Sequence, residues 1–185
     1  EARSFYERAL AGRGKALGAE HLDLVPLLRA IGDCHRMQNN HADAERSYRQ
    51  ALAIRQKDLG GEHPDVAKSL DDVANAHYSQ GRYSDAESLY QQALAIRQKA
   101  LGAEHPEVAT TLVDVGNCRF GLSRYAEAEQ LYQRAISIRE KAQGAEHPDV
   151  AAALAGVANC RDGLRRYAEA EEVHKRALAM RENAW

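Results

Sequence analysis

Four histidines, His21, His63, His105 and His147, recur at intervals of 42 residues, each closing a Gly-x-Glu-His string. Imidazole is a common zinc ligand, so a histidine at a fixed repeat position invites comparison with a string of metal sites. Cys34, Cys118 and Cys160 add thiols, the last two again 42 residues apart. Distance argues against metal or disulfide chemistry. Ligands of one zinc ion lie within about 4 Å of each other, because each bond is only about 2 Å long. Like residues on successive packed helical units lie roughly 10 Å apart, and a disulfide needs Cα atoms within about 7 Å. The histidines are expected to stand at helix entries, where the ring satisfies nearby backbone groups. The cysteines are expected to be small packing residues at a position that Ala76 fills in the intervening unit. HExxH, GxGxxG, GxxxxGK and GxSxG strings are missing from the sequence, and acidic residues gather at helix starts and on polar faces. The expectation is a protein that is not an enzyme and uses no metal or cofactor.

The elements that carry these residues repeat with them. Three histidines continue as His63-Pro64-Asp65-Val66-Ala67, His105-Pro106-Glu107-Val108-Ala109 and His147-Pro148-Asp149-Val150-Ala151, whereas the first runs His21-Leu22-Asp23-Leu24-Val25. A proline followed by an acid suits the first turn of a helix. Val66, Leu70, Val73, Ala74 and His77 then recur at helical spacing. Gly81 breaks the pattern and suits a left-handed end cap. Ser84 with Glu87 three residues on reads as a capping box that opens a second helix. Its apolar stripe runs through Ala86, Leu89, Tyr90, Ala93 and Leu94 to Leu101, where Gly102 stops it. A short connection makes the two helices antiparallel neighbours, and one such hairpin cannot bury both stripes alone. The boundaries follow: 1–20 a truncated second helix of a preceding unit, then hairpins at 21–62, 63–104, 105–146 and 147–185.

The pattern Leu70-x-x-Val73-Ala74-x-x-His77, Gly81-x-Tyr83 and Ala86-x-x-x-Tyr90-x-x-Ala93 resembles the tetratricopeptide repeat (TPR). The linker Arg97-x-Lys99-x-Leu101-Gly102-x-Glu104-His105-Pro106 and the 42-residue period look like the kinesin light chain type. The resemblance covers essentially the whole chain and implies an all-α fold, an α-α superhelix (TPR solenoid) of antiparallel hairpins. It also implies a concave groove lined by the first helix of each hairpin, a scaffold for protein binding. Carried over by position, the groove residues are Arg29, Asp33 and Arg36; then Lys68, Asp71, Asn75 and Tyr78; then Val113, Asn117 and Phe120; and finally Asn159 and Asp162. Asn75, Asn117 and Asn159 form a register of amides suited to the backbone of an extended peptide, unless they bond the neighbouring helix instead. Arg29, Arg36 and Lys68 suggest an acidic stretch in that peptide, beside an apolar anchor near Val113 and Phe120. The carboxylate clamp of chaperone-binding members is not matched, since Asp33 and Asp71-Asp72 stand where it needs Asn or basic groups. The Asn-Asn pair of kinesin light chains is replaced by Asp71-Asp72, Val113-Asp114 and Ala155-Gly156.

Composition narrows the partners. The 185 residues are 44 % hydrophobic and 28 % charged, with a formal net charge of -2 and both signs interspersed. That balance lacks the basic stripe of a nucleic-acid binder, and no apolar run is long enough to span a membrane. An odd number of cysteines without a CxxC pair points to a reducing, cytoplasmic setting. The chain opens inside a helix and closes at Trp185 on another, which predicts bare apolar ends. Self-association through Val173, Leu178 and Met180 is therefore the competing expectation, a structural element in place of a peptide-binding module.

Overall fold

A computed structural model describes residues 2–182. Among them are nine α-helices and one short 3-10 turn, with no strand. The helices are α1 (Ala2–Leu17), α2 (Val25–Met37), α3 (His41–Leu59), α4 (Pro64–Tyr78), α5 (Tyr83–Leu101), α6 (Pro106–Gly121), α7 (Tyr125–Gln143), α8 (Pro148–Gly163) and α9 (Tyr167–Glu182). Glu1 and the expected terminal Trp185 lie outside the described residues.

Local chemistry sets the helix ends. Pro64, Pro106 and Pro148 sit in the first turn, where an N–H would have no helical acceptor. Just before them, the Nδ1 atoms of His63, His105 and His147 accept the backbone N–H of Asp65, Glu107 and Asp149 at 3.1, 3.2 and 3.1 Å. His21 accepts from Asp23 in the same way at 3.2 Å. The histidine ladder is therefore a set of helix N-caps, each ring nitrogen used by its own backbone.

The turn inside each hairpin needs one left-handed residue. Asn39, Gly81, Ser123 and Arg165 fill that position with φ of 58, 73, 60 and 62°. The next N–H reaches back to the helix, from Asn40 to His35 O, Arg82 to His77 O, Arg124 to Arg119 O and Arg166 to Arg161 O, at 2.8–3.0 Å. This is the Schellman closure, which satisfies orphan carbonyls whether or not the residue is glycine. The expected capping box does not open α5. The helix starts one residue earlier, at Tyr83, so Ser84 lies within the first turn, and Glu87 is buried.

The chain forms two compact units, residues 1–96 and 97–185. In the first, Leu24, Val25 and Leu28 pack against Ala51 and Ile54 of α3, with Leu10 of α1 alongside. Ala44, Tyr48 and Leu52 on another side of α3 pack on Val66, Ala67, Leu70 and Val73 of α4, which also receives Ala93 of α5. In the second unit Ala128, Tyr132 and Ile136 of α7 meet Val150, Leu154 and Val157 of α8, covered in turn by Ala177 and Met180 of α9. Each fully buried large apolar side chain contributes roughly 1.5–3 kcal/mol. The same rule runs through both units: a second helix uses one stripe on its own hairpin and another on the next first helix. Cys118 and Cys160 are buried within this packing and Cys34 is partly so. Burial, with Glu129 nearby, pushes the Cys160 thiol up to about 11.

Arginines of the second helices tie successive hairpins together. Arg55 donates to Asp65 O at 3.1 Å and to Ser69 Oγ at 2.8 Å. Arg97 donates to Thr111 Oγ1 at 2.9 Å and Arg139 to Asp149 O at 2.8 Å. The Arg55 and Arg139 bonds cross from one hairpin to the start of the next within their own unit.

Candidate cleft on the first helices

The second helices α3, α5 and α7 each carry a tyrosine that bonds the first helix of its own hairpin. Tyr48, Tyr90 and Tyr132 are almost fully buried, and their hydroxyls donate to Asp33 Oδ1, Asn75 Oδ1 and Asn117 Oδ1 at 2.7, 2.8 and 2.7 Å. The acceptor lies 15 residues before its tyrosine every time. The amide register expected to face a ligand thus has its oxygen on the neighbouring helix at Asn75 and Asn117, while the amide nitrogen takes no part in that bond. Asn159 is exposed; His174 replaces the tyrosine there, with Nε2 3.4 Å from Asp162 Oδ2.

In the first unit these residues border a cleft of 380 Å³ lined by Asp33, Arg36, Tyr48, Asp72, Asn75, Tyr78 and Ser79. Four of the residues expected from sequence converge here: Asp33, Arg36, Asn75 and Tyr78. Arg36 Nη2 is 3.8 Å from Asp33 Oδ1, and both side chains are about half exposed. Tyr78 stands edge-on to Tyr83, ring centroids 5.2 Å apart. Asp72, Tyr48 and Ser79 are additions. The signal for Tyr48 was the 15-residue offset; nothing local in the sequence singles out Asp72.

The remaining expected residues are placed differently. Arg29 clasps Asp72 through Nε to Oδ2 at 2.5 Å and Nη2 to Oδ1 at 3.0 Å. That bidentate pairing raises the Arg29 pKa further. Lys68 pairs with Asp65 of its own helix at 2.9 Å. Asp71 is half-buried and does not line the cleft. In the second unit, Val113 and Phe120 pack partly buried on the core, and the Phe120 ring meets Tyr125 tilted by 60°, centroids 5.2 Å apart. There α6 and α8 touch. Gly116 and Gly156 both face the Tyr132 ring, and a Cβ on either would come within 2.9 and 3.0 Å of it.

A second polar cluster buttresses the first unit. Glu45 of α3 accepts from Arg49 at 2.8 Å and from Arg82, with His77 Nε2 3.3 Å away. Burial pushes its carboxyl up, but the hydrogen bonds from Arg49 and Arg82 outweigh this and hold it at about 2. His77 is buried, its Nδ1 lies 3.5 Å from Asp85 without a hydrogen bond, and burial holds its pKa below the usual value. In the second unit the equivalent Glu129 binds Arg161 and Arg166 at 2.7 and 2.9 Å.

The terminal apolar surface differs from expectation. Met180 is buried and Val173 packs beside it, because both face α8 of their own hairpin. Only Leu178 of the three is exposed, at 57 %, with Tyr167 at 63 % nearby in sequence. At the start of the chain, Phe5 is 68 % exposed.

Known structures share this architecture. A kinesin light chain-like protein of Podosopora anserina with nearly identical TPR-like repeats superposes with a TM-score of 0.84 at 24 % identity, over 98 % of this chain and 86 % of that one. BtubC (BKLC) from P. vanneervenii gives 0.85 at 22 % identity, over 98 % and 72 % of the two chains. A Rap protein complexed with Competence and Sporulation Factor gives 0.74 at 17 %, over 96 % and 47 %. No curated protein sequence matches this chain. The tetratricopeptide-repeat family model matches residues 1–57, 48–99, 65–141 and 107–183. With its hairpins, its 42-residue period and its helix-capping histidines thus accounted for, this chain belongs to the tetratricopeptide-repeat family.

Proposed function

We propose that this chain is a non-enzymatic scaffold that binds an extended peptide or partner segment against the first helices of its hairpins. The fold is that of protein-interaction scaffolds in general. The observation that carries the finer reading is the cleft between α2 and α4, where Asp33, Arg36, Asn75 and Tyr78 present acceptors, donors and an aromatic ring together. Mixed donors and acceptors suit a peptide backbone, which offers both. A Rap protein of the same fold was solved with Competence and Sporulation Factor bound, which supports ligand capture by this architecture. No described helix is long and apolar enough to cross a membrane. A cytoplasmic setting, protein partners and no nucleic acid belong to the same proposal. The acidic ligand segment inferred from Arg29, Arg36 and Lys68 loses support, because Arg29 and Lys68 already have carboxylate partners.

The test is a random peptide library selected on the intact chain, with selected peptides mapped by amide chemical shifts. Shifts centred on α2 and α4, weakened by Tyr78→Ala, are expected. Selected peptides that map to α3 and α7 instead would sink the groove reading. Self-association through the ends is the second reading, favoured by exposed Phe5, Tyr167 and Leu178. It predicts a mass that grows with concentration in light scattering and falls back in Leu178→Glu.

A further inference from the structure

Asp33 occupies the position held by Asn75, Asn117 and Asn159 in the other hairpins. Its structural duty is to accept the Tyr48 hydroxyl, and the neutral amides of Asn75 and Asn117 do the same for Tyr90 and Tyr132 at equal distance. The fold therefore needs an oxygen there and not a charge. The carboxylate adds a negative charge and a second oxygen, Oδ2, on a side chain that is 52 % exposed at the cleft.

The surroundings leave that charge weakly compensated. Arg29 is held by both oxygens of Asp72. Arg36 stands 3.8 Å from Asp33, beyond hydrogen-bond distance, and exposed pairs of this kind are weak. Asp72 and Arg29 neutralise each other, so an entering anion would meet the Asp33 carboxylate with only Arg36 to receive it. An entering cation would meet Asp33 Oδ2, while its aliphatic stem could lie along the partly exposed Tyr78 ring. The cleft, at 380 Å³, has room for one long side chain.

We propose that this cleft is a subsite for a lysine or arginine side chain of the bound segment. The proposal rests on the groove reading for its ligand and specifies the chemistry that reading leaves open.

The experiment uses the intact chain, labelled with ¹⁵N, and three probes: N-acetyl-arginine methylamide, N-acetyl-lysine methylamide and N-acetyl-glutamate methylamide. Saturable shifts at Asp33, Arg36, Asn75 and Tyr78 are expected with the two basic probes and weaken with salt. Asp33→Asn keeps the Tyr48 hydrogen bond, so its circular dichroism stays native while affinity for the basic probes falls roughly fivefold. The idea is overturned by tighter binding of the glutamate probe at these residues, by no localised shifts from the basic probes, or by unchanged affinity in Asp33→Asn. Selected peptides that map to α2 and α4 without enrichment in basic residues would sink this subsite and leave the groove reading intact. Basic-probe binding alongside a library that yields no binders would sink the groove reading alone.

Discussion

If the Asp/Asn–Tyr ladder is part of the scaffold, the two sides of one rung should respond unequally to removal. Tyr90 is 2 % exposed, whereas Asn75 is exposed. Asn75→Ala removes the acceptor of a buried hydroxyl, a loss of about 1–3 kcal/mol, partly offset by the better helix propensity of alanine, about 0.5 kcal/mol. Tyr90→Phe leaves the Asn75 carbonyl to water, so only the net bond is lost, about 1 kcal/mol. The double variant should be close to Tyr90→Phe alone, a coupling equal to the Asn75→Ala loss, about 0.5–2.5 kcal/mol, over the 2.8 Å bond. Urea unfolding followed by circular dichroism at 222 nm measures the cycle. Amide exchange at α4 and α5 localises the loss, which matters because repeat arrays need not unfold in two states. Strict additivity, or an Asn75→Ala protein as stable as the parent, would refute the reasoning and return Asn75 wholly to ligand contact.

Three further outcomes follow from the same geometry. A Cβ on Gly32 would lie 2.5 Å from Tyr48 Cε1; overpacking should outweigh the helix gain, so Gly32→Ala loses about 1 kcal/mol in denaturant titration. Arg165 holds a left-handed φ of 62° in the turn that Gly81 closes without strain; Arg165→Gly should raise stability by about 0.5–1 kcal/mol, read as a higher melting temperature. The folded pKa of His77 is lowered by burial, so the unfolded chain binds the proton more readily, and the His77 contribution is lost as pH falls from above the unfolded value, about 6.5, through the folded one. Unfolding midpoints at neutral and mildly acidic pH should therefore separate more in the parent than in His77→Gln; an equal separation would assign the acid sensitivity elsewhere.

The site was only partly legible in the residue string. Asp33, Arg36, Asn75 and Tyr78 came from carrying the family's groove positions onto this chain, and the cleft gathers them. Asp72 was out of reach, since its importance comes from Arg29, 43 residues away, whose guanidinium it holds on both oxygens. Val113 and Phe120, expected beside an apolar anchor of the ligand, lie partly buried against the core that holds Val150 and Leu154, a packing that spacing along the chain does not show. Likewise Leu178 and Met180 look alike as apolar residues two positions apart on α9, but one is 57 % exposed and the other 5 %.

What the sequence determined by itself acts within one helical turn or one repeat: the 42-residue period, the proline starts, the histidine caps and the apolar stripes. Capping bonds and periodicity involve residues two to seven positions apart, so their physics can be read in order along the chain. Which faces meet was decided by tertiary structure. The rotational phase of each helix against its neighbours gathers one rung at an open cleft in the first unit and brings α6 into contact with α8 in the second. That phase depends on close packing of rings against glycines, a property of side-chain volumes in three dimensions and not of spacing.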